Sequence, residues 1–157
     1  MTDTHAHRPV VAFVLGEQRF GLDVGRVERV LPLLAVSALP TAPAIVLGVI
    51  NVRGSVIPVV DLRRRLGVSA RIHELRAHLL LVRTPQRRLA LPVDEVNGVM
   101  DVASNAMARP NDVVPGLGHL AGIVALPDGL LFIQDLDALL SLEEEGQLSR
   151  ALDEVGA

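Results

Sequence analysis

The chain has 157 residues, half of them hydrophobic, with fifteen basic and eighteen acidic side chains for a formal charge of −3. That length suits one domain or two tightly joined subdomains, burying roughly 70% of the extended surface. So small a charge excess, with three Phe and no Trp or Tyr, argues against nucleic acid as a partner, because it offers neither phosphate steering nor stacking platforms. The absence of cysteine rules out disulfides and thiolate metal sites.

The N-terminal stretch Met1 to Pro9 is polar and reads as a tail without a signal peptide, and no run approaches the ~20 apolar residues of a membrane span. The expected setting is therefore cytoplasmic, without direct membrane insertion. Val10 to Leu15 is a continuous apolar run rich in β-branched residues, and Gly16-Glu17-Gln18 turns it back through Arg19 to Val24, which predicts a hairpin. Val27 to Leu31 continues the β character, and Pro32, Pro40 and Pro43 mark an irregular connection to Ile45. Val49–Val52 and Val56–Val60 then flank an Arg53-Gly54 turn. Asp61 is placed to cap a short helix that Gly67 closes.

The second half opens with strands His78–Arg83 and Arg88–Val93 around Thr84-Pro85-Gln86. Further strands are expected at Val99–Ala103, Ile123–Leu126 and Leu130–Gln134, with Asp128-Gly129 as a tight hairpin turn. From Asp135 onward a helical pattern keeps Leu148, Leu152 and Val155 at helical spacing.

These elements are written twice. A displacement of 74 positions lays Gly48 on Gly122, Val49 on Ile123, Val59 on Ile133 and Asp61 on Asp135. A displacement of 69 lays Phe20, Leu22, Val27 and Val30 on Leu89, Leu91, Val96 and Val99. The repeat and its Gly- and Pro-rich turns predict a mainly β chain of about ten strands in two groups of five, the form of small closed barrels. The division expected is about 10–76 for the first subdomain and about 77–136 for the second, with a C-terminal helix over about 135–155.

Candidate chemistry is sparse. Asp61 and Asp135 could share a proton as a hydrolytic pair, but each also stands where a helix N-cap belongs, and capping is the favoured reading. His5 and His7 lie in the polar tail, and His73, His78 and His119 have no ligand-spaced partners, so no metal or cofactor is expected. Arg63-Arg64-Arg65 and Glu143-Glu144-Glu145 read as solvated helical faces. Arg53 stands apart at the tip of an apolar hairpin, reading equally as a docking residue or an ordinary turn arginine. Glu28, set between Val27 and Val30, could pair with it across a barrel.

Asn51-Val52-Arg53-Gly54, followed by Val56-Ile57-Pro58-Val59-Val60-Asp61-Leu62, resembles the hairpin motif of the CheW-like family of bacterial chemotaxis adaptors, and the similarity runs from Phe13-Val14-Leu15-Gly16 to the final helix. The resemblance implies two SH3-like five-stranded β-barrels and a noncatalytic role bridging a CheA-type histidine kinase to the cytoplasmic tip of chemoreceptors in membrane-associated arrays. It also implies a partner-binding surface that includes Glu28, Arg53 and Gly54, with Val27 and Val30 lining a receptor-facing groove and Val49 and Asn51 near the hairpin. Arg29 departs from the family, which usually has an apolar residue there, and bears on which receptor is recognised. Val52 replaces the common Leu. A CheW-like scaffold serving a non-flagellar chemosensory pathway is the nearest alternative, and an Asp61/Asp135 hydrolase a remote one.

Overall fold

The computed structural model describes residues 7–66, 77–103, 106–108 and 120–156. Strands run in chain order as β1 (His7–Leu15), β2 (Gln18–Asp23), β3 (Val27–Pro32), β4 (Val46–Val52), β5 (Ser55–Val60), β6 (His78–Arg83), β7 (Arg88–Val93), β8 (Glu95–Ala103), β9 (Met107–Ala108), β10 (Leu120–Leu126) and β11 (Gly129–Gln134). Helix α1 (Leu62–Leu66) follows β5, and helix α2 (Leu142–Glu154) ends the chain. The two-residue β9, on the edge beside β10, has no counterpart in the sequence reading. The helix end expected at Gly67 and the residues His5, His73 and His119 lie outside the described residues.

The strands form two sheets, β8-β1-β2-β11-β10-β9 and β3-β6-β7-β5-β4. Each wraps an apolar interior of its own. Leu31, Ile50, Ile57, Val59, Leu79, Leu81 and Ala90 fill the five-stranded one, and Val10, Val102, Val124, Leu131 and Ile133 fill the other. A larger cluster lies between them, built from Val11, Phe13, Leu15, Phe20 and Leu22 on one side and Leu80, Val82, Leu89 and Leu91 on the other. The hairpins β1–β2 and β6–β7 are thus apolar on both faces, which is why Val10–Leu15 and Leu79–Val82 read as unbroken runs rather than alternations. Phe13 and Phe20 stack there with ring centroids 5.9 Å apart, and Phe132 reaches Phe20 at 5.7 Å.

The repeat survives down to strand register. Phe13 opposes Phe20 and Val11 opposes Leu22, just as Val82 opposes Leu89 and Leu80 opposes Leu91. The parallel contacts Ile133–Gly21 and Val59–Ala90 also superpose under the two displacements. Both long hairpins slip register at matching places, between Val46 and Gly48 and between Leu120 and Gly122.

The sheets do not, however, divide the chain near residue 76. Hairpin β1–β2 belongs to the sheet of β8, β10 and β11, while β6–β7 completes the sheet of β3, β4 and β5. The links explain the exchange. A single 3₁₀ turn, Val24–Arg26, joins β2 to β3, and Asp94 alone joins β7 to β8. Links so short carry the chain across the central cluster and leave it no length to fold β3 back beside β2.

Two charged runs expected to be solvated faces are largely fixed by contacts. Arg63, only 7% exposed, pairs with Asp94, whose carboxylate also accepts from the Gly16 N–H at 2.7 Å. Arg65 pairs with Glu144, and Glu145 accepts from Arg87 Nε at 2.9 Å. Of the two runs, Arg64 and Glu143 are exposed. A short sequence run cannot reveal such partners, because each lies on an element distant in the chain. The C-terminal helix also begins later than expected. A 3₁₀ turn at Leu136–Ala138 precedes it, and a capping box on Ser141 and Glu144 restarts the chain as α2.

Candidate partner-binding surface

At the tip of β4–β5, Val52 opposes Ser55, so Arg53 and Gly54 alone make the turn. Their φ angles of 52° and 86° are those of the primed hairpin turn that matches strand twist. Glycine takes such a φ without cost, but an arginine there is strained by about 1–2 kcal/mol. Asn51 braces the turn, its Oδ1 accepting the Gly54 N–H at 2.7 Å. Among the described residues the exposed Arg53 guanidinium has no hydrogen-bonded or ionic partner.

Glu28 occupies a bulge. Val27 opposes Val82 and Arg29 opposes Leu81, leaving Glu28 outside the ladder and re-aimed. The expected Glu28–Arg53 pair is not the one formed. Arg83 and Arg88 face each other across β6 and β7, and Glu28 bridges them, with Arg83 Nε at 2.8 Å from Oε1 and Arg88 Nη1 at 3.5 Å from Oε2. Being partly exposed, such pairs contribute only about 0–1 kcal/mol each.

A cleft of about 270 Å³ opens at this end of the five-stranded barrel, lined by Glu28, Arg29, Arg53, Ser55, Leu81 and Arg88. The residues named from sequence therefore divide. Glu28, Arg29 and Arg53 share the cleft, and Asn51 and Gly54 lie at the hairpin tip beside it. Val30 is exposed on β3. Val27 and Val49 are half-buried and pack against the central cluster, and Val49 also bonds through its main chain to Ser37 at 2.8 and 2.9 Å. Sequence reasoning missed Arg88 and Arg83, whose proximity to Glu28 depends on the bulge and on strand register. It also missed the exposed apolar side chains of Val36, Leu47 and Val56.

Gly48 holds the loop before β4 against the strand. A Cβ at that position would lie 2.2 Å from the Ser37 carbonyl oxygen, so glycine is required for the close approach. Asp61 and Asp135 directly follow β5 and β11, which belong to different sheets. The Asp135 carboxylate accepts from the Asp137 N–H at 3.1 Å, in the capping role expected of it. The Asp61 main chain bonds to Ile45 and Arg64.

Residues 9–144 match the family model described as CheW-like domain. The chain is 29% identical over 143 residues to the chemotaxis protein CheW of Rhizobium meliloti, covering 90% of this chain and 92% of that one. It is 31% identical over 132 residues to the CheW of Thermotoga maritima, covering 83% and 86%. Among solved structures, the scaffolding protein TtCheW from Thermoanaerobacter tengcongensis superposes with a TM-score of 0.80 at 27% identity, covering 92% of this chain and 95% of that one. In sequence, in its paired sheets and in the hairpin that carries Arg53, the chain belongs to the CheW-like domain family.

Proposed function

We propose that the protein is a noncatalytic adaptor that couples the cytoplasmic tips of chemoreceptors to a CheA-type histidine kinase. It would act in the cytoplasm and reach membrane-associated arrays through these partners. The observation that carries this reading is Arg53, a cation held in a strained conformation with no partner among the described residues. Strain retained at an exposed position is a pointer to function. Val30 and Val56, each 43% exposed, offer apolar area on β3 and on the same hairpin, as docking surfaces do. Among the described residues no helix is long and apolar enough to cross a membrane.

Individual contacts can be modest, since an array raises effective concentration by repetition. Signal passes if receptor states differ in how they dock, because only differential contact shifts an equilibrium. The two barrels would then divide the work, one face toward the kinase and another toward the receptor.

Two substitutions test the reading. Arg53→Asn keeps a residue suited to positive φ and is expected to raise stability by about 1 kcal/mol. Arg53→Ala removes the guanidinium and its stem while leaving a side chain at the positive φ. Both are expected to fold and to lower receptor-dependent kinase activity in a reconstituted assembly. Full coupling by both variants would remove Arg53 from the docking surface.

A further inference from the structure

We propose that the mouth of the five-stranded barrel is an anion-accepting cleft that takes an Asp or Glu side chain of the docking partner. This rests on the adaptor reading and specifies its chemistry. Arg29, Arg53 and Arg88 line the cleft with one carboxylate, Glu28. Both Glu28 oxygens are already engaged, one by Arg83 and the other by Arg88. Arg29 and Arg53 are therefore left with no carboxylate among the described residues.

The repeat supplies an internal control. At the other barrel's mouth, Asn97, Gly98 and Pro127 occupy the positions of Glu28, Arg29 and Arg53 under the same displacements. Arg19 stands where Arg88 does, and its charge is taken up by Asp128 at 2.9 Å. The shared fold thus forms without Arg29 or Arg53, and the surplus of positive charge belongs to one mouth alone. Val52 and Leu81 complete the cleft lining beside these charges. Guanidinium forks match carboxylate geometry in two-point contacts.

A protein side chain is favoured over a nucleotide on two grounds. No aromatic residue lines the cleft to stack a base. The exposed Val56 on the same hairpin continues the surface as apolar contact area, which suits an acidic residue set among apolar ones on a partner helix.

The test measures binding of the full chain to a purified receptor signalling-domain fragment and to the CheA-type kinase at two salt concentrations. Wild type, Arg29→Ala, Arg29→Glu, Arg53→Ala and the exposed control Arg64→Glu are compared, with folding of each checked by its melting curve. Arg29→Glu is expected to lose about tenfold or more in affinity for one partner, and Arg29→Ala to flatten the salt dependence, as removal of an interfacial charge does. Arg64→Glu is expected to bind as wild type. If both Arg29 variants bind like wild type while Arg53→Ala is impaired, the anion cleft falls and the docking reading stands. If no variant changes binding to either partner, both fall. In parallel, the amide spectrum of the free protein is titrated with inorganic phosphate and with acetate. Saturable submillimolar shifts at Arg29 and Arg53 with phosphate alone would overturn a carboxylate side chain as the occupant.

Discussion

Arg63 shows how far a side chain's role can depart from its local context. In the run Arg63-Arg64-Arg65 it looks like one of three solvated cations, yet it is buried and paired with Asp94 in the link between β7 and β8. Removing one partner of a buried pair leaves an uncompensated charge and costs about 3–5 kcal/mol. Arg63→Ala is accordingly expected to lower the urea midpoint sharply, and Arg64→Ala to leave it within about 0.5 kcal/mol of wild type. Equal midpoints for the two variants would contradict the burial described. Arg53 is the opposite case. Its place on the turn was legible from Asn51 to Gly54, because turn chemistry is local. Its lack of a partner was not, since that depends on the bulge giving Glu28 to Arg83 and Arg88 instead.

Among the elements, α2 is held by contacts that titrate. Burial pushes the Glu144 carboxyl up, but the Ser141 main-chain N–H, the Arg65 guanidinium and the Ser141 hydroxyl outweigh it and hold the group below its usual range. A carboxylate whose folded pKa is depressed stabilises the fold fully above its unfolded value and loses that contribution as pH falls through the folded one. Glu144→Gln, which keeps an acceptor for the cap, should therefore show a shallower loss of stability than wild type across the acid side of the ordinary glutamate range, read from urea midpoints against pH. Parallel acid limbs would exclude Glu144 as a source of the pH dependence. The strands themselves were legible because periodicity and turn residues are local. The second hairpin turn was misplaced by one residue, since Pro127 and Asp128 make it and the positive φ falls on Gly129. Proline's fixed negative φ bars a primed turn at Pro127-Asp128, and the positive φ falls two residues past the proline, on Gly129.

At the scale of the whole molecule, the repeat was visible in sequence but the exchange of hairpins was not. Displacements of 69 and 74 say which segments are alike and nothing about which copy each one pairs with. The exchange makes neither half self-sufficient. Residues 1–76 lack the β6–β7 hairpin that completes the five-stranded sheet, and residues 77–157 lack β1–β2. Each fragment alone is expected to give a collapsed amide spectrum, and the mixed pair a dispersed one resembling the intact chain. A folded single fragment would show that the crossing strands are dispensable.

That interleaving also governs the order in which the protein can be made. Arg19 of β2 and its partner Asp128 are 109 positions apart in sequence. At about 5–20 residues per second of synthesis, the first hairpin leaves the ribosome roughly 5–20 seconds before its permanent neighbours exist. Throughout that interval a ribbon apolar on both sides has no lasting cover. During that interval the uncovered ribbon is open to aggregation, and its exposure ends only when the later strands arrive.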